Sequence, residues 1–266
     1  MNKILLKIFS FFLGIVLLAF TLIYFYQEKL IFHPTKLPKD YTYRFDENHE
    51  EISILTEQKD TINSLYFYAK EPKGVIYFLH GNSGDLSGWG DVAPHFTRKN
   101  YNVFMIDYRG FGKSGGKIFS ENQFLNDAQV GYDFLKTLHP ENEIIILGYS
   151  IGSGPASYLA SKNNPRNVVL ASPFYSFKSL AKEKIPFLPI FILKYPLESN
   201  QYLKESKAPI TIFHGDEDQL IPIHHAKKLA SELKNKNVNF YPIIGQGHNG
   251  ILKNYSFLNK MDSIMN

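Results

Sequence analysis

Gly148-Tyr149-Ser150-Ile151-Gly152 follows directly on the apolar run Glu143-Ile144-Ile145-Ile146-Leu147, and this junction constrains the fold more than any other feature of the chain. The run is short, unbroken and β-branched, which predicts a strand buried on both faces of a parallel sheet. The residues behind it read as a helix. Small residues on either side of Ser150 permit a sharp strand-to-helix turn, with the hydroxyl clear of the sheet's edge and the Ile151 amide beside it. The pattern alone is weak, so its meaning rests on its companions.

The rest of the chain repeats the theme. Residues 51–56 and 62–69 predict a hairpin around Gln58-Lys59-Asp60, and further short strands are expected at 75–79, 103–107, 144–147, 168–171, 210–213 and 240–244. Helical patterns fill most gaps. Such alternation argues an α/β fold: a mostly parallel sheet of about eight strands, helices on both faces, and ligands at the strands' carboxyl ends. The chain's 266 residues, 44% of them hydrophobic, suit one large domain of this kind. Its charge of +4 comes from 29 basic and 25 acidic residues spread without a basic run, so nucleic acid is not indicated. With no cysteine, disulfides, cysteine-type zinc sites and thiol nucleophiles drop out, while the redox compartment stays open.

Ile8 to Tyr26 carries no charge and follows Lys3 and Lys7. At about 1.5 Å per residue it covers roughly the ~30 Å hydrocarbon core, with Tyr24 and Tyr26 where an aromatic belt lies. The stretch is too long for a signal-peptide core, and no small-x-small cleavage site follows it. We therefore read 1–26 as a single-pass anchor, 27–46 as a linker containing Pro34 and Pro38, and 47–266 as the catalytic domain. Basic residues flank the span on both sides (Lys3 and Lys7; Lys29, Lys36 and Lys39), so the positive-inside count nearly ties. A signal-anchor orientation places the domain on the extracytoplasmic side.

His80-Gly81-Asn82-Ser83-Gly84 follows the strand at 75–79, where the Asn82 amide, with that of Ile151, is placed to hold an oxyanion. His214-Gly215-Asp216-Glu217-Asp218 follows the strand at 210–213. Asp218 has the reach of a carboxylate that orients a histidine, and Asp216 and Glu217 read as turn or solvated acids. A metal set of His214, Asp216, Asp218, His224 and His225 lacks the helical two-histidine spacing of zinc hydrolases. Of nine histidines, His248, in the glycine-rich loop 245–250, completes the chain order Ser, Asp, His. Gly110, Gly112 and Gly115 mimic a dinucleotide fingerprint, but the helix that the fingerprint needs does not start there; Ser120 and Gln123 read as its cap instead. The glycine loop is left as a structural element near the site.

Together these segments resemble the α/β-hydrolase superfamily, specifically its membrane-anchored, short-lid serine hydrolases, over about residues 50 to 260. The resemblance rests on His80-Gly81-Asn82, Asp107-Tyr108-Arg109-Gly110-Phe111-Gly112, Gly148-x-Ser150-x-Gly152, His214-Gly215-x-x-Asp218 and Gly247-His248-Asn249. It implies Ser150 as nucleophile, His248 as general base and then acid, Asp218 as orienter, and the Asn82 and Ile151 amides as oxyanion hole, with no metal or cofactor. The implied reaction is hydrolysis of esters or thioesters of acyl chains or acyl lipids; a peptidase of the same fold and a catalytically silent tethered module are the alternatives. Specificity is expected in a short lid at 174–207. Its apolar segment 185–193, with Phe187, Leu188 and Phe191, either roofs an acyl pocket, touches the bilayer, or packs on the sheet as a plain helix.

Overall fold

The computed structural model describes residues 3–234 and 236–266. Among these residues the strands are β1 (His33–Pro34), β2 (His49–Leu55), β3 (Thr61–Phe67), β4 (Val75–Leu79), β5 (Ser83–Gly84), β6 (Asn102–Ile106), β7 (Ile144–Tyr149), β8 (Asn167–Ala171), β9 (Ile210–Gly215) and β10 (Val238–Ile243). The α-helices are α1 (Lys3–Ile31), α2 (Leu86–Trp89), α3 (Ala93–Thr97), α4 (Glu121–Lys136), α5 (Ser153–Lys162), α6 (Phe177–Lys184), α7 (Ser199–Glu205), α8 (His224–Glu232) and α9 (Tyr255–Met265). Eight strands form one sheet in the order β10-β9-β8-β7-β4-β6-β3-β2. All its pairs are parallel except β2/β3 and β3/β6. Every expected strand is present, with ends that differ by a residue or two.

Alternation along the central strands builds two cores. Val75, Tyr77 and Leu79 of β4 and Ile144 and Ile146 of β7 face one layer, which α4, α5 and α8 cover through Phe124, Leu159 and Leu229. Ile76, Phe78, Ile145 and Leu147 face the other, under Phe96 of α3 and Phe257 and Met261 of α9. Burying one such side chain contributes about 1.5–3 kcal/mol, which explains why these strands read as continuous apolar runs.

The chain leaves β4 toward β6 on one side, while β7 pairs on β4's other side. That reversal opens a crevice at the carboxyl ends of β4 and β7, and it brings the 80–84 loop beside Ser150. The 110–116 loop bends at positive φ (Gly110 +84°, Gly112 +45°), and α4 begins only at Glu121. The Ser120 hydroxyl accepts from the Gln123 N–H (3.2 Å), and the Gln123 side-chain Oε1 accepts from the Phe119 N–H (3.0 Å). This is the expected cap.

Helix α1 departs from the expected boundaries. It continues past Tyr26 to Ile31, and Gln27, placed in a linker by sequence, is buried within it. After it, His33–Pro34 pairs in parallel with Ser83–Gly84, so this segment is sewn to the 80–84 loop.

Candidate active site

Ser150 sits where β7 turns into the helical residues leading to α5, with φ +53°. A left-handed conformation is costly for a residue with a side chain. The surroundings impose it. A Cβ on Gly148 would lie 2.6 Å from the Ala156 Cβ, and one on Gly152 would overlap the Leu79 carbonyl oxygen. The glycines thus let β7, β4 and α5 close around a turn that presents the hydroxyl.

The Ser150 Oγ lies 3.0 Å from His248 Nε2, and His248 Nδ1 lies 2.7 Å from Asp218 Oδ2. Three segments separated by 98 and 30 residues therefore meet in one relay. Asp218 is held from behind, its Oδ1 accepting the N–H groups of Leu220 (3.0 Å) and Ile221 (2.8 Å). Burial alone would raise its pKa. Hydrogen bonds from His214, His248 and the Ile221 N–H outweigh burial and hold it well below the usual carboxylate range. An ionised Asp218 in turn directs the His248 Nδ1 proton toward itself, leaving Nε2 to accept from Ser150.

The 80–84 loop is fixed on both sides. The Asn82 side-chain amide donates to the Ile31 carbonyl (2.7 Å), and the Asn82 carbonyl accepts from the His33 N–H (2.7 Å). Ile151 opens a helical turn, where N–H groups lack intrahelical acceptors. Beneath the loop His80 is fully buried among Tyr108, Trp89 and Phe111. Burial lowers its pKa to about 4, so it is a neutral packing group.

Two features had no sequence signal strong enough to single them out. Tyr149 donates to the His248 carbonyl (3.1 Å) and packs its ring against the imidazole, centroids 5.5 Å apart. Its identity at an unspecified motif position gives no hint of this. The second is a cavity of about 330 Å³ reaching from Ser150, Ile151 and Asn82 between the lid and α1. Among the three lid residues expected to line a pocket, Leu188 does so; Phe187 and Phe191 instead stand 90% and 88% exposed.

The metal set considered from sequence is not assembled. His214 and Asp218 are buried together at 3.2 Å, Asp216 accepts the Gly245 N–H, and His224 and His225 both reach Glu183 Oε2 of α6 at 2.9 and 3.1 Å. His225 Nδ1 accepts the Tyr175 N–H (3.3 Å), so its Nε2 carries the proton and donates to Glu183. That nitrogen has no lone pair to offer an ion, and the trio is a polar latch between lid helix and α8.

Comparison with known proteins agrees with this architecture. The family model described as serine aminopeptidase, S33, matches residues 70–197. A protein of Acanthamoeba polyphaga mimivirus described as an α/β hydrolase, L404, is 30% identical over 85% of this chain and 87% of its own length. The lysophosphatidylserine lipase ABHD12 of Xenopus tropicalis is 30% identical over 63% of this chain and half of its own. Among solved structures, the esterase Pf2001 of Pyrococcus furiosus superposes with a TM-score of 0.70 at 20% identity, over 88% of this chain and 98% of that one.

Proposed function

The chain belongs to the α/β-hydrolase superfamily, and we propose that it is a membrane-anchored serine hydrolase that cleaves carboxylic esters or thioesters of acyl-chain substrates through an acyl-enzyme on Ser150. The observation that carries this reading is the relay from Ser150 Oγ to His248 to Asp218, at 3.0 and 2.7 Å, beside an apolar cavity. His248 Nε2 takes the hydroxyl proton as Oγ attacks the acyl carbonyl. The negative oxygen then turns toward the amides of Asn82 and Ile151. The imidazolium, held by ionised Asp218, protonates the leaving alcohol or thiol. Water, deprotonated by His248, attacks the ester of Ser150, and collapse of the second tetrahedral intermediate returns the acid and the free serine.

The family model's description favours a second reading, a peptidase. An aminopeptidase needs an acid to hold its substrate's amino group, and among the described residues the side chains lining the cavity include no Asp or Glu. Their apolar character, with a relative named as a lysophospholipid lipase, supports acyl substrates instead. α1, whose most apolar 18 residues have a mean hydropathy of 2.5 and are not buried in the protein, is assigned as the single-pass anchor, with the catalytic domain on the extracytoplasmic side.

The test is Ser150→Ala. It is expected to abolish turnover of short p-nitrophenyl esters and labelling by a fluorophosphonate probe while the circular dichroism spectrum stays native. Undiminished hydrolysis would refute the assignment, and a wild type that does not label would identify a silent tethered module.

A further inference from the structure

One wall of the cavity beside Ser150 comes from α1. Ile23, Gln27, Leu30 and Ile31 line it, at the i, i+4, i+7, i+8 spacing of one helix face. The lid supplies Ile185, Leu188 and Leu193. Gln27 joins the two: its buried side chain donates to the Ile192 carbonyl (2.7 Å) and accepts the Lys194 N–H (2.9 Å). Glu28 adds the Lys194 ammonium (3.0 Å) and the Tyr195 hydroxyl (2.8 Å).

Toward its N-terminus the same helix is bare, with large apolar side chains exposed from Ile4 to Leu22. A bilayer is suited to cover such a surface. Ile23 belongs to both settings, ending that stretch and beginning the cavity wall. Tyr24 and Tyr26 mark this level as the membrane interface. The lid, pinned there through Ile192, carries Phe187 and Phe191 fully out of the protein, an arrangement suited to the apolar side of an interface and costly in water.

We infer that the cavity opens onto the bilayer: the acyl chain of a membrane-resident ester passes laterally between α1 and the lid, and lies against Ile23, Leu30 and Ile31 with its carbonyl at Ser150. The anchor is thereby a specificity wall of the site as well as a tether. This rests on the serine-hydrolase reading. Chains dissolved in water gain up to about fourfold in kcat/KM per methylene that enters such a cavity, so blocking its membrane end selectively penalises long chains.

The experiment uses the full chain in phosphatidylcholine vesicles, with p-nitrophenyl butyrate and palmitate as probes. Ile23→Trp is expected to lower the palmitate-to-butyrate ratio of kcat/KM at least tenfold, and the smaller intrusion Ile23→Phe about threefold. Leu22→Trp, at the same depth but off the cavity face, is expected to keep the ratio within twofold. A ratio unchanged in both Ile23 variants, or lowered equally by Leu22→Trp, would overturn the inference. Fluorophosphonate labelling of Ser150 is read in each protein: if it persists while the ratio is unmoved, the lateral path fails and the hydrolase reading stands. A wild type that neither labels nor turns over ends both. Should Ile23→Trp not label, the Ile23→Phe ratio decides.

Discussion

The turn at Ser150 and the seam between α1 and the lid border the same cavity, yet they are built in opposite ways. At the turn, two glycines leave no room for a methyl group, and the positive φ of Ser150 is enforced by packing from β4 and α5. At the seam, Gln27 and Glu28 hold the lid by a few polar contacts, while Phe187 and Phe191 stand unpacked. The difference teaches a division of labour. Chemistry that requires a hydroxyl within hydrogen-bond reach of an imidazole sits on rigid strand ends, where small displacements are costly. Selection of an apolar chain needs only a shaped apolar wall, which the lid and α1 can supply.

The comparison is broken most severely at the relay. Asp218→Asn is expected to lower kcat about 10⁴-fold, because an amide cannot hold the productive His248 tautomer; stopped-flow or steady-state ester hydrolysis measures it, and a loss under tenfold would argue against the orienting role. Gly152→Ala comes next. Its Cβ overlaps the Leu79 carbonyl oxygen, so destabilisation of at least about 1–3 kcal/mol is expected in urea unfolding, along with loss of activity. On the other side of the comparison, Phe187→Ser with Phe191→Ser is expected to leave folding stability within about 0.5 kcal/mol, as exposed positions do, while hydrolysis of a bilayer-borne ester falls several-fold. Equal losses on stability at the turn and the lid would dissolve the contrast.

The smallest expected effect concerns acid. Asp218 has a depressed native pKa, so its ionised form stabilises the fold above the unfolded carboxyl value of ~3.9 and this contribution is lost as pH falls below it. Urea midpoints between pH 5 and 2.5 should therefore decline more steeply for wild type than for Asp218→Asn. Parallel curves would show that the hydrogen bonds from His214 and His248 do not favour the ionised form.

Much of this was legible in order along the chain. Buried parallel strands declare themselves as unbroken β-branched runs, which is why β4, β7, β8 and β9 were found nearly to the residue. The cap at Ser120 and Gln123 is equally local, whereas Asp216, read as a turn or solvated acid, accepts the Gly245 N–H from 29 residues away. Gln27 was not legible as a contact of the lid, since its partners lie 165 and 167 residues away and no periodicity connects them. Phe187 and Phe191 were grouped with Leu188 because all three are apolar; only burial distinguishes the one that lines the cavity.

The sequence by itself therefore determined the α/β architecture, the turn at Ser150 and the order along the chain of Ser150, Asp218 and His248, because backbone conformation, burial pattern and chain order are written in neighbouring residues. Tertiary structure alone decided that the N-terminal helix runs on to Ile31, that Asn82 is clamped to its end, and that its last turns wall the cavity. Those are contacts between segments far apart in the chain. They arise from where the sheet's strand order reverses and how the lid folds back across it, which no local window of sequence contains.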